Sequence, residues 1–173
     1  MNDTKIGKWF EGELSDLLNE TKVRARLDFM RLYDTHTAGG KFLPKQHGDY
    51  IVSAGGTVIL VECKATMTNA SMKDAYLPDI VDRGQAAKHV TWRRSGSPAC
   101  FLHYSELTAA VEIWPSQLVT EMMARGGRLP TEAAPSHTVE LHELVPALVS
   151  TMHDEKRLLD LASRKRVDVP VTF

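Results

Sequence analysis

Residues 58–66 read Val-Ile-Leu-Val-Glu-Cys-Lys-Ala-Thr, VILVECKAT in one-letter code. The run is β-branched and apolar, as in a buried strand, yet it contains Glu62 and Lys64. Side chains alternate across a strand, so Val58, Leu60, Glu62 and Lys64 share one face, while Ile59, Val61 and Cys63 share the other. Glu62 and Lys64 therefore project side by side at the end of the most hydrophobic segment of the chain. A buried charge without a partner is costly, so this strand end needs further polar groups around it.

The residues just before it supply one. Residues 49–53 also read as a strand, and Ala54-Gly55-Gly56 joins it to 57–63 as a hairpin, because glycines accept the positive φ of a tight turn. Asp49 opens the first arm and so lies across from the Glu62–Lys64 end. Two carboxylates converging on one spot repel unless a proton or a cation lies between them. Hard oxygen ligands suit Mg²⁺ or Mn²⁺, and a neighbouring lysine can orient a water or steady a phosphate oxygen. Asp…Glu-x-Lys is thus a compact device for hydrolysing a phosphodiester. The same residues also read as an ion pair at a strand end with Asp49 as a turn residue.

The rest of the chain bounds these readings. Its 173 residues and 43% hydrophobic content suit one folded domain with an appendage. Apolar runs are too short to span a bilayer, the N-terminus has no apolar signal-like segment, and Cys63 and Cys100 are no disulfide framework. A cytoplasmic protein is expected, associated with the nucleoid through DNA. The net charge is −1, but residues 1–105 carry 14 Lys+Arg against 12 Asp+Glu and residues 106–173 carry 7 against 10. If some front-half acids hold metal, the remaining front surface is basic.

Periodicity predicts a helix over 7–21, with Phe10, Leu14, Leu17 and Leu18 as its apolar stripe. Strands are expected at 28–34, 49–53, 57–63, 99–104 and 109–114, and helices at 79–94, at 115–127 and, despite Pro146, within 138–163. Residues 128–137 read as a linker. This order indicates an α/β fold with a mixed β-sheet flanked by helices. A core over 1–118 and a helical C-terminal extension over 119–173 are expected.

The chain resembles the PD-(D/E)xK nuclease superfamily, with Asp49, Glu62 and Lys64 on the three motif positions and Gly48 where the motif's name has proline. More narrowly it resembles RecU-type Holliday junction resolvases, through Gly7…Glu11, "GDY" at 48–50, "ECKAT" at 62–66 and Gln85, over about residues 7–118. Archaeal Hjc resolvases are similar over a shorter core; residues 23–47 match poorly and the tail after 126 has no counterpart. The resemblance implies a restriction-endonuclease-like core and a metal-dependent endodeoxyribonuclease that resolves four-way junctions or other branched DNA in recombination and repair, leaving 5′-phosphates. It implies Mg²⁺ or Mn²⁺ held by Asp49, Glu62 and the Cys63 carbonyl, with Lys64, Glu11 and Gln85 completing the catalytic set. Another nuclease of the superfamily, restriction-like or repair, and a non-catalytic DNA-binding protein on the same fold are the alternatives.

Glu11 and Glu13 flank the apolar stripe on opposite margins, and only the resemblance favours Glu11. Lys41, Lys45, Arg83, Lys88, His89, Arg93 and Arg94 are candidate DNA contacts, and "RGQAAKHVTWRR", 83–94, is the best single patch because no acid interrupts it. His47 precedes Asp49 by two and reads as a loop histidine. No zinc motif, phosphate-binding loop or dinucleotide fingerprint is present, so no nucleotide cofactor is implied. A homodimer is expected, because a four-way junction has approximate two-fold symmetry and one chain carries one candidate site. The apolar positions over 141–152 fit either that interface or packing on their own domain.

Overall fold

The computed structural model describes residues 3–24, 26–32 and 48–167. The chain begins with helix α1, Asp3–Thr21, whose stripe of Ile6, Phe10, Leu14 and Leu18 is buried. Strands β1, Leu27–Arg31, β2, Tyr50–Ala54, and β3, Thr57–Thr66, follow as an antiparallel meander. The hairpin between β2 and β3 turns on Gly55 and Gly56, with φ of 56° and 77°. After a single 3₁₀ turn come α2, Leu77–Ile80, and α3, Arg83–Arg94.

Strand β4, Ala99–Ser105, then pairs in parallel with β3, and β5, Ala110–Pro115, returns antiparallel to β4. Helix α4, Ser116–Ala124, leads to strand β6, His137–Glu140, on the outer edge beside β5. Helix α5, Leu144–Val167, closes the described chain. The sheet has six strands in the order β1-β2-β3-β4-β5-β6. It is the mixed sheet flanked by helices that the sequence indicates.

Two apolar clusters lie on the two faces of the sheet. One joins α1 and α5 to Val61, Cys63, Leu102 and Ile113. The other joins α2, α3 and α4 to Phe101 and Trp114. Leu144, Val145, Leu148 and Met152 belong to the first cluster, so these apolar tail positions pack on their own domain and are not available to an interface. The expected extension thus contributes an edge strand and core side chains to the same sheet.

Two expectations need correction. The helix expected at 79–94 is two helices, α2 and α3, broken where Asp82 caps α3. Its side chain accepts from the Gly84 N–H at 2.7 Å, and the Gln85 side chain accepts from the Asp82 N–H at 3.1 Å, a capping box. The strand β6 lies where a linker was followed by helical periodicity, since four residues are too short for alternation to compete with a longer pattern. Pro146 falls in the first turn of α5, where N–H groups have no intrahelical partner, so it costs the helix little.

Candidate active site

The pairing of β2 with β3 aligns Tyr50 with Val61. Asp49 lies just before β2, against the Val61–Cys63 end of β3 and close enough to Glu62 for its charge to be felt. The Asp49 N–H donates to the Val61 carbonyl at 2.9 Å, and the Cys63 N–H donates to Asp49 Oδ2 at 2.7 Å. Because a strand residue presents its N–H and C=O to the same edge, the Cys63 carbonyl also lies on the edge that Asp49 occupies. Gly48 has no room for a side chain: a Cβ there would stand 2.9 Å from the Val61 oxygen and 3.0 Å from Leu60 Cδ1. The backbone before Asp49 lies flat on β3.

Around this pair the polar groups are tightly partnered. Lys64 Nζ is 2.9 Å from Glu62 Oε1 and donates to Gln85 Oε1 at 2.9 Å. Gln85 Nε2 donates to Glu62 Oε1 in turn. The residue that completes the α3 capping box therefore also bridges the acid and the lysine, and its orientation is fixed from both sides. The expected residues Asp49, Glu62, Lys64 and Gln85 are brought together.

Burial disfavours the charged form of both acids. Burial, and then the Glu62 carboxylate, push Asp49 up to about 7. Burial also raises Glu62, although Lys64 opposes the shift. The Cys63 thiol points into the apolar layer and burial raises it well above its ordinary value, so it is no thiolate ligand.

Glu11 stands at the margin and is engaged elsewhere. Its carboxylate accepts from Arg31 at 2.7 Å, and its carbonyl accepts from the Tyr50 hydroxyl at 2.6 Å. Arg31 sits beside Tyr50 in the sheet and is missing from the sequence-based set. No local pattern marks it, since only the pairing of β1 with β2 brings it to Glu11. Gln85 had a local signal as well, the Asp82-x-x-Gln85 capping box.

The candidate DNA contacts separate. Arg83 is exposed at the Gln85 end of α3, and Lys88 is half-buried. His89 is not a surface residue: it is fully buried, with its ring stacked on Phe101 and Nδ1 3.0 Å from Ser116 Oγ. Arg93 is paired with Glu155 of α5 and donates to Gln117 at 2.8 Å. Arg94 is exposed, about 13 Å along the helix from Gln85. Lys41, Lys45 and His47 lie outside the described residues.

Among the described residues no three His, Cys, Asp or Glu side chains come together as a metal-binding cluster. The donor set is instead two carboxylates and a backbone carbonyl. That set fits Mg²⁺, which is commonly held by one or two carboxylates and keeps several waters.

No family model matches the chain, and no curated protein matches it. Among solved structures it is similar to Hjc, a Holliday junction resolvase from the archaeal hyperthermophile Archaeoglobus fulgidus. The two share 19% identity with a TM-score of 0.45, over 80% of this chain and 93% of that one.

Proposed function

We propose that this chain is a metal-dependent endodeoxyribonuclease that cuts Holliday junctions or other branched DNA by paired phosphodiester hydrolysis. The observation that carries the reading is the meeting of two buried carboxylates, Asp49 and Glu62, at a strand end beside one paired lysine, Lys64. A simple ion pair needs one acid for one lysine; the second acid, Asp49, is held by the Cys63 N–H and has room in its chemistry for a cation. The motif resemblance supports branched DNA as the substrate.

The roles follow from the contacts. Asp49, Glu62 and the Cys63 carbonyl would hold Mg²⁺ or Mn²⁺. Such an ion, when bound, supplies Lewis acidity toward the phosphate and a lowered pKa for the attacking water. Lys64, held by Glu62 and Gln85, orients the water or steadies a phosphate oxygen. Gln85 keeps Lys64 and Glu62 in register with the start of α3. Glu11 acts from the margin, and Arg31 holds it there. Arg83, Lys88 and Arg94 are proposed phosphate contacts. Two copies of the chain would supply matched nicks to a two-fold junction.

Nicking of a synthetic four-way junction tests this, with Mg²⁺, Mn²⁺, Ca²⁺ or a chelator, beside flap, duplex and single-stranded DNA. Paired nicks in the junction with Mg²⁺ or Mn²⁺, and none with chelator, are expected. Preference for flap or duplex would place the chain with other nucleases of this motif, and no cleavage under any condition would refute the enzyme. Light scattering with and without junction DNA reads the dimer.

A further inference from the structure

On the face of the sheet that carries Glu62, a row of polar residues crosses three strands. Lys64 on β3 is aligned with His103 on β4, and His103 with Glu112 on β5. The neighbouring row is apolar away from the site, with Phe101 aligned with Trp114. His103 and Glu112 are buried, and neither belongs to the acid site.

His103 bridges two parts of the chain. Its Nε2 is 2.9 Å from the hydroxyl of Thr66, the last residue of β3 and two beyond Lys64 on the same face. Its Nδ1 is 3.3 Å from Glu112 Oε2. The Thr66 hydroxyl also reaches the Asn69 carbonyl, at 3.2 Å. Glu112 Oε2 accepts from the Met72 N–H and from Trp114 Nε1, both at 2.8 Å. The segment that leaves β3 is thus tied at Thr66, Asn69 and Met72 to one buried group of side chains.

Apolar residues of similar volume would serve stability at least as well, because buried polar groups are desolvated at a cost. What a buried polar network adds is a defined geometry. Here the geometry it defines is that of the strand end bearing Lys64.

We propose that His103 is a positioning residue, which through the Thr66 hydroxyl and the Glu112 carboxylate holds the end of β3 and so aims the Lys64 ammonium. The proposal rests on the nuclease reading for its consequence in catalysis, but not for its effect on Lys64.

The test uses the full chain with Thr66→Val, which keeps the shape and removes the hydroxyl, and Thr66→Ser, which restores it. Glu112→Gln runs beside them, since it keeps an acceptor for Met72 and Trp114. Two quantities are read at a temperature where near-ultraviolet circular dichroism shows each variant folded. One is the rate at which an amine-acylating reagent labels Lys64 relative to exposed Lys8, followed by mass spectrometry. The other is kcat and KM for junction nicking. Thr66→Val and Glu112→Gln are expected to raise the labelling ratio several-fold. They should also lower kcat between about tenfold and a hundredfold, with KM within about twofold. Thr66→Ser should return both readings to those of the parent. A purely structural network would lower the melting temperature and move neither reading, and that result would overturn the proposal. If the parent chain nicks no DNA, the nuclease reading fails, and the labelling ratio alone decides whether His103 positions Lys64.

Discussion

Asp49 and Glu62 are the residues on which the functional reading stands, and Asp49→Asn separates the two explanations of them. The amide oxygen can still accept the Cys63 N–H, so shape and that hydrogen bond survive while one charge goes. For a metal ligand, nicking should fall by on the order of a hundredfold or more, because an amide is a poorer ligand than a carboxylate. The melting temperature in metal-free buffer should stay level or rise. Near-normal nicking at saturating Mg²⁺ would remove Asp49 from the site. Arg31→Ala tests the margin. Its ion pair with Glu11 is about 28–29% exposed, so stability should change by no more than about 1 kcal/mol. Junction nicking should drop as far as in Glu11→Gln, and a double-mutant cycle should show the two losses to be non-additive.

His89 makes a separate prediction in pH. Burial, with Lys64 and other cations nearby, lowers its pKa to about 3. Below the ordinary histidine value of about 6.5 the unfolded chain takes up a proton that the native chain refuses. Stability is therefore lost as the pH falls from about 6.5 to 3, by about 1.4 kcal/mol per pH unit. Denaturant titrations of His89→Phe should show that slope reduced by this amount. Glu112 acts in a lower window. Burial favours its protonated form, but bonds from His103, Ser71, Met72 and Trp114 outweigh this and hold it down to about 2. The contribution of a depressed acid is complete above its unfolded value of about 4.5 and disappears as the pH falls through 2.

At the scale of elements, α3 has two ends with different work. Its first turn holds the site through Gln85, and its last turn is fastened to α5. Arg93 and Glu155 are largely buried partners, and Lys156 Nζ donates to the Gly96 carbonyl at 3.3 Å just beyond the helix. Breaking a buried ion pair from one side costs about 3–5 kcal/mol. Arg93→Ala should therefore lower stability by a few kcal/mol in a urea titration and is unsuitable as a probe of DNA binding. Arg94→Ala is the suitable probe. It should leave stability unchanged and lower the salt dependence of junction affinity by about one unit of log slope. An unchanged slope would show that this end of the helix does not touch the backbone of the DNA.

For the whole molecule, the C-terminal part is structural. Leu144, Val145, Leu148 and Met152 share a cluster with Ile6, Phe10, Leu14 and Leu18 of α1, and β6 pairs with β5. Burying each such side chain contributes about 1.5–3 kcal/mol, and the net stability of a domain is only about 5–15 kcal/mol. A chain ending at residue 118 should therefore show no cooperative thermal transition. A cooperative transition near that of the full chain would show that the first 118 residues suffice.

The sequence by itself determined the central hairpin, the amphipathic face of α1 and the placing of Asp49 at the end of β3 that carries Glu62. Each depends on local periodicity or on two glycines, and local rules are strong where a pattern is long or a turn is tight. It also determined that Glu62 and Lys64 project together. The tertiary structure alone decided the rest. Glu11 meets Arg31 only because β1 pairs with β2, and Arg93 meets Glu155 only because α5 returns across the sheet. His89 carries a polar side chain, which a pattern reads as surface, yet α4 and β4 enclose it through Ser116 and Phe101. The row from Lys64 through His103 to Glu112 joins residues far apart in the chain, and only strand register aligns them. Long-range pairing leaves no trace in the spacing of neighbouring residues, because its energy comes from groups that meet only after the sheet has closed.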